Sequence, residues 1–388
     1  MGVASLAASR RFEIGAASLS SLAVAQLAVY AAMQIPAGII LDRFGARKLI
    51  IFGSLMTGIG NFLVALSPTL SIAVIGRMTV GFGDSFIFVS MIRLINGWVT
   101  DPNATRFTQL FANLGQLGQI ASAVPFAYLL GVAGWTPAFS IAASLAFAAA
   151  AFGFFALKDE PRESPSAEPR KTVLAQFVEN LADPVTRKAF WVHFTLQSSG
   201  SVFILLWGYP FLVQGEGIPK AMASLLLASF VFIGFLVGPI LSHICVTFPK
   251  RRYLLVTSVF TLISSAWLQV LLTPGVNPTW QLILLVLCVG VGGPASMVAF
   301  DYSRTTIPRF RLGSSNGIIN SGGFVATFVC MFLIGLSLDQ IRALHLLSNT
   351  SLYSLESFKL AFPVQLLVMS FGLAMFYRER RRSRHTRE

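Results

Sequence analysis

Residues 38–48 read Gly-Ile-Ile-Leu-Asp-Arg-Phe-Gly-Ala-Arg-Lys, a short charged run between two long apolar ones. Residues 18 to 41 before it carry no charge, and residues 49 to 66 after it carry none. Each flank approaches the ~20 residues that a helix needs to cross the hydrocarbon of a bilayer. A loop this short joins antiparallel neighbours, so the stretch is a charged turn between two membrane helices.

The rest of the chain has the same character. Its 388 residues are 55% hydrophobic and only 12% charged, with a mean hydropathy of +0.71, whereas a soluble domain carries ~25% charged residues. Apolar runs of membrane length fall near residues 18–41, 49–67, 70–97, 107–132, 136–157, 189–213, 221–247, 253–273, 279–301, 313–338 and 358–377, eleven in all. Their backbone groups must be satisfied within the segment, and they lack the alternation of barrel strands, so all are expected to be helices. The expectation is therefore an all-α membrane protein.

A formal charge of +13 would also suit a nucleic-acid partner, and its location decides against one. Of the 29 Lys and Arg residues, 23 cluster in the turn at Arg43, Arg47 and Lys48, at Arg93 and Arg106, between Lys158 and Lys188, at Lys250 to Arg252, between Arg304 and Arg311, and from Arg378 onward. Those segments lie on one side of the expected spans, so the positive-inside rule makes them and the C-terminus cytoplasmic, in the inner membrane. Cys245, Cys288 and Cys330 all lie inside apolar runs and read as packing residues. Met1 to Arg11 has no apolar core flanked by a cleavage site, so no cleavable signal peptide is expected. Four scattered His residues and no nucleophile or metal-spaced motif give no catalytic constellation, cofactor or metal site, and an enzyme is not expected.

Residues 158–188, with Pro161, Pro165 and Pro169 among polar neighbours, divide the chain and lead into an expected interfacial helix. The expected organisation is a helical bundle over 1–157, a cytoplasmic linker over 158–188, a second bundle over 189–377 and a basic tail over 378–388. An internal repeat supports it: Gly38-Ile-Ile-Leu41 pairs with Gly238-Pro-Ile-Leu241, and Gly81-Phe-Gly83 with Gly290-Val-Gly292.

Gly38, Leu41, Asp42, Arg43, Gly45, Arg47 and Lys48 resemble, position by position, the signature loop between the second and third helices of the major facilitator superfamily of secondary transporters. Arg77, Gly81 and Gly83 resemble that family's second signature, which is associated with proton coupling. The resemblance implies two pseudo-symmetric six-helix bundles, a substrate site between them near the midplane, and alternating access. Five helices precede the linker and six follow, so the first helix is expected to be incomplete. Met1 to Ile14 matches its outer end and following loop, whether through a late start codon or a true absence. The resemblance also makes the signature loop a conformational latch, with Arg93 placed to pair with Asp42, and Asp301 and Arg304 at the matching end of the repeat.

Arg77 and Asp84 are charges that fall well inside a span, the one over 70–97. An intramembrane charge is costly unless it faces a cavity or a partner. Seven residues apart, they share a helix face at a rise of roughly 10 Å. Asp84 is expected to exchange a proton or orient a cation, with Arg77 attracting an anionic group or tuning Asp84; the alternative is a water-bridged pair that only holds the bundle. Uncharged polar residues at helical spacing are further candidates for substrate contact or interhelical bonding: Gln26, Tyr30 and Gln34, then Asn113, Gln116 and Gln119, then Gln197 with nearby serines, and Asn316 with Asn320. His193 and His243 are expected at interfaces, and Trp135, Trp207 and Trp280 in an aromatic belt.

The leading expectation is a transporter of a small polar or anionic metabolite, coupled to protons. The resemblance also implies that a nitrate carrier would have an Arg on its second and eighth helices; the matching spans 18–41 and 221–247 hold none, so nitrate is disfavoured. The fifth-helix pattern of drug antiporters is incomplete, with Gly115 and Gly118 preceding Pro125 without a Gly-Pro pair. A multidrug or metabolite efflux antiporter and a non-transporting, sensor-like relative remain the alternatives.

Overall fold

A computed structural model describes residues 2–98, 114–115, 118, 120–122, 124–158, 173–307, 309–344, 347 and 351–385. Among these residues ten helices are long and apolar enough to cross a membrane. They coincide with ten of the eleven expected spans. The remaining one, over 107–132, lies mostly outside the described residues, and its last turns form a short helix, Pro125–Ala133. The protein is a multi-pass, all-helical membrane protein.

In chain order the helices are α1 (Ser5–Phe12), α2 (Ala16–Phe44), α3 (Ala46–Leu66), α4 (Leu70–Trp98), α5 (Pro125–Ala133), α6 (Trp135–Ala156), α7 (Val173–Ala182), α8 (Pro184–Val202), α9 (Lys220–Thr247), α10 (Arg252–Leu272), α11 (Thr279–Gly290), α12 (Gly292–Ser296), α13 (Val298–Arg304), α14 (Arg309–Ala343), α15 (Leu355–Ala361) and α16 (Pro363–His385). They fall into two compact units, one of Ser21–Val173 and one of Met1–Ser20 with Leu174–Glu388.

Within Ser21–Val173, glycines set the distance between helices. A Cβ on Gly53 would lie 2.6 Å from the Gly83 carbonyl, and one on Gly60 equally close to that of Gly76. The glycines repeat at seven residues on both α3 and α4, so two antiparallel helices touch backbone to backbone at two levels. In lipid, where apolar burial gives helices little reason to associate, such close approach is a principal source of attraction. On its other side, α3 receives α6: Trp135 Nε1 donates to the Val64 carbonyl at 2.9 Å, and Phe147 lies against Gly58.

In the other unit, α8 is the hub. Its neighbours meet it at glycines: Gly292 of α12 at the Leu196 carbonyl, Gly322 of α14 at the Phe190 carbonyl, and Gly372 of α16 at Thr195. Beyond Val202 the helix widens into π turns at Phe203–Trp207 and Phe211–Gly215, before and after Pro210. These turns feed Phe203, Trp207 and Phe211 into a buried aromatic cluster with Trp267, Phe358 and Phe362. The first residues of the chain belong to this unit. Asp339 caps the start of α2 with both carboxylate oxygens, accepting from Ala16 N and Ala17 N at 2.8 Å each.

Two expectations about aromatic and His placement are corrected here. Trp207 is fully buried and donates to the Met331 carbonyl, and Trp135 is 7% exposed, so both tie helices together; Trp280, by contrast, is 57% exposed. His193 is 3% exposed, sealed between helices instead of lying at an interface. An indole or imidazole N–H can be buried in a span when a neighbouring carbonyl accepts it, and sequence position does not show that carbonyl. The three cysteines are buried, as expected.

Candidate functional site

Gly81 locates the site. A Cβ there would lie 2.2 Å from the Gln26 carbonyl, so only glycine lets α2 lie this close against α4. That approach carries the Gln26 side chain between the two charges of α4. Arg77 donates through a terminal guanidinium N–H to Gln26 Oε1, and Gln26 Nε2 donates to Asp84 Oδ2 at 3.1 Å. The carboxamide thus spans the two charges with its acceptor turned to the cation and its donor to the anion. From α3, Thr57 Oγ1 donates to Asp84 Oδ1 at 3.1 Å. Thr57 lies between Gly53 and Gly60 in the α3 sequence, so the contact that brings α3 onto α4 also delivers its hydroxyl.

All four residues are half-buried and lie at least seven residues from either end of their helices. Arg77 Nε is buried and has no hydrogen-bond partner among the described residues, so the guanidinium has donor capacity to spare. Tyr30, one turn beyond Gln26, lies within electrostatic range of Asp84, and its backbone carbonyl accepts from Gln34. The seven-residue spacing predicts one shared face for Arg77 and Asp84, with a water-bridged pair as the alternative. The structure supplies a protein amide instead.

A second polar chain lies in the other unit around α8. Ser296 Oγ donates to Gln197 Oε1 at 3.0 Å, and Gln197 Nε2 donates to Ser201 Oγ at 3.0 Å. His193 is within hydrogen-bonding reach of the Ser296 carbonyl and of Asn320. Asn316 stands apart from this group, accepting at 2.8 Å from Ser303 Oγ. Gly323 abuts both His193 and Gln197, where a Cβ would come within 2.9 Å of each.

Of the expected latch residues, Gly45 adopts φ 82°, a left-handed conformation that glycine tolerates best, and breaks α2 from α3. Arg47 donates to the Phe154 carbonyl at 2.7 Å and stacks over its ring, while Lys48 is exposed. Gly38 lies within α2; the side chains of Asp42, Arg43 and Arg93 lie outside what is described, and Asn113, Gln116 and Gln119 lie outside the described residues. Asp301 offers its backbone carbonyl to Arg252, a buried arginine that also donates to the Cys245 carbonyl and to Thr305. Sequence reading missed Thr57 and Arg252. The seven-residue glycine spacing around Thr57 was the available signal for the first. Among the described residues no group of three or more His, Cys, Asp or Glu side chains could hold a metal ion.

Opposite charges held by polar partners inside a bundle of membrane-length helices are costly unless they serve a cavity or a partner, as they do in membrane transporters. The chain belongs to the Major Facilitator Superfamily, whose model matches residues 1–331. Over 382 residues it is 21% identical to the probable galactarate/D-glucarate transporter GarP of Escherichia coli, covering 88% of this chain and 84% of that one. A shorter match, 32% identical over 137 residues, is to the probable sulfoacetate transporter SauU of Cupriavidus necator; it spans 34% of this chain and 31% of the relative. The crystal structure of a bacterial homologue of the human lysosomal transporter Spinster, in an inward-facing and unoccupied conformation, superposes with a TM-score of 0.79 at 13% identity, covering 98% of this chain and 92% of that one.

Proposed function

We propose that this protein moves a small organic anion across the inner membrane by alternating access, in symport with a proton, its C-terminus cytoplasmic, and that the Arg77–Gln26–Asp84 relay is the coupling element. The observation that carries the reading is the single carboxamide that bonds to both charges. An arriving carboxylate or sulfonate would compete with Gln26 Oε1 for Arg77, since an ionised acceptor bonds a guanidinium more strongly than a neutral one. Once the Gln26 carbonyl is displaced, its amide no longer has to present a donor to Asp84. A carboxylate stripped of a donor and of its share in a cation is more easily protonated. Anion binding and proton binding then favour one another, and by linkage the favour is mutual.

GarP and SauU bear names that assign them hydroxylated dicarboxylates and a sulfonated carboxylate, and these set the first substrates to try. In proteoliposomes an inward proton gradient should drive accumulation of labelled galactarate, D-glucarate or sulfoacetate. Asp84→Asn should abolish gradient-driven accumulation while sparing exchange of labelled for unlabelled substrate. Survival of both activities would reduce Asp84 to a structural role. Proton-driven accumulation of uncharged sugars, with no response to these anions, would end the anion reading.

A further inference from the structure

We infer that the turn between α9 and α10 is a binding site for one anionic phospholipid. The turn reads Phe248-Pro-Lys-Arg-Arg252, and no Asp or Glu occurs anywhere between Glu216 and Asp301. Beneath it a groove of about 370 Å³ opens between the two helices, walled by Leu241, Ile244 and Phe248 from α9 and by Leu254, Leu255 and Val259 from α10, with Arg251 at its mouth. Arg251 and Lys250 are exposed, and neither side chain has a hydrogen bond or ion pair among the described residues. Arg252 differs: it is 6% exposed and spends its guanidinium on the Cys245 carbonyl, the Asp301 carbonyl and Thr305, which fixes the end of α9 and the floor of the groove.

The dimensions and the chemistry fit a lipid. From Phe248 down to Leu241, and from Arg251 down to Val259, the groove descends roughly 10 to 12 Å along the helices. That is most of the ~15 Å depth of one leaflet's hydrocarbon. The walls carry on as an exposed stripe along α9 at Phe232, Leu236, Ile240 and Ile244. An acyl chain can lie in the groove only if its headgroup reaches the turn, where Lys250 and Arg251 are exposed and neither the turn nor α9 and α10 contributes an acidic residue. A zwitterionic headgroup would bring its own cation to the same place, and an inorganic anion would leave the apolar walls uncovered. The complement to both features is a phosphatidylglycerol-type lipid.

The test is native mass spectrometry of the full chain from nanodiscs of phosphatidylcholine mixed with phosphatidylglycerol. One phosphatidylglycerol should stay bound in preference to phosphatidylcholine. Arg251→Gln should weaken that retention about fivefold, the weight of one near-surface cation, and Lys250→Gln/Arg251→Gln further. Because both residues are exposed and unbonded, the variants should keep the parent's thermal midpoint in phosphatidylcholine alone. Leu255→Trp, which fills the groove without touching the charge, should also displace the lipid. Equal retention of the two lipids, retention unaffected by Arg251→Gln, or equal thermal stabilisation by inorganic phosphate would each overturn the inference. So would loss of the lipid on Arg378→Gln/Arg381→Gln, which alters the basic face of α16, with retention in Arg251→Gln.

Discussion

If Gln26 relays between Arg77 and Asp84, the two charges must be energetically coupled, and a double-mutant cycle measures the coupling. Arg77→Met removes the cation and leaves Asp84 with only Gln26 and Thr57. Asp84→Asn removes the anion and leaves Arg77 with a neutral acceptor. Seven residues of helix separate the charges by roughly 10 Å, and at an effective dielectric near 20 that gives about 2 kcal/mol of attraction. Each single variant also spoils one side of the shared amide, and a hydrogen bond to a charged group contributes about 1.5–3 kcal/mol. Each single change should therefore cost about 2–4 kcal/mol, while the double variant should cost about 2 kcal/mol less than their sum.

The assay is equilibrium unfolding in mixed detergent micelles followed by tryptophan fluorescence. Additivity within about 0.5 kcal/mol would mean that the two charges do not sense one another, and the relay would be refuted. Transport by the same four proteins separates function from scaffolding. The double variant should lose less stability than the two single losses summed, and should show no proton-driven accumulation. Were it to transport like the parent, the pair would be a structural staple.

Other expectations follow from particular contacts. Gly81→Ala must push α2 off α4 by about an ångström to relieve the 2.2 Å contact with the Gln26 carbonyl, which should cost about 1–3 kcal/mol as overpacking and reduce uptake. Gly131→Ala, on α5 with nothing within 4 Å of a Cβ, should be neutral or stabilising by up to about 1 kcal/mol in the same unfolding assay. Asp339→Ala removes the two-pronged cap of α2 and should lower stability by about 1–2 kcal/mol, with faster amide exchange at residues 16–20 as the local readout.

Burial raises the carboxyl of Glu216, outside the spans, above its ordinary value of 4.5, although hydrogen bonds from Asn277 and the nearby Lys359 oppose the shift. A folded-state value above the unfolded one means that its stabilising contribution is whole below about 4.5 and fades as pH rises through the raised value. Glu216→Gln should flatten the thermal midpoint against pH in that window. The Asn277 amide can turn its partnerless buried oxygen toward the new side-chain N–H.

The architecture was legible because hydrophobic length is a one-dimensional property. Asp42, Arg43 and the apolar runs around them mark a turn and two spans whatever their neighbours do. The shared face of Arg77 and Asp84 was legible for a similar reason, since a seven-residue spacing fixes a face within one helix. What bridges them was not, because it depends on which residue a second helix brings alongside. Gln26 was a candidate, but only the close approach at Gly81 makes it the partner of both charges. His193 and Trp207 show the same limit: each has a buried acceptor more than 100 residues away in the chain, at Ser296 and Met331 respectively.

Helix packing and site chemistry in this chain therefore have one origin. A polar side chain placed at mid-membrane is costly unless another reaches it, and reach requires backbones closer than side chains normally allow. Gly53, Gly60, Gly76 and Gly83 bring α3 to α4, and Gly81 brings α2 to the same helix, so that Thr57 and Gln26 arrive at Asp84 from two directions. In this arrangement a slide of α2 along α4 carries the Gln26 amide toward one charge and away from the other, so it cannot leave both bonds unchanged. Under the proposed function, binding at Arg77 and proton exchange at Asp84 are thereby tied to the same helix contact. A change that loosens that contact without touching either charge, as Gly81→Ala does, should uncouple the anion from the proton before it abolishes binding of either.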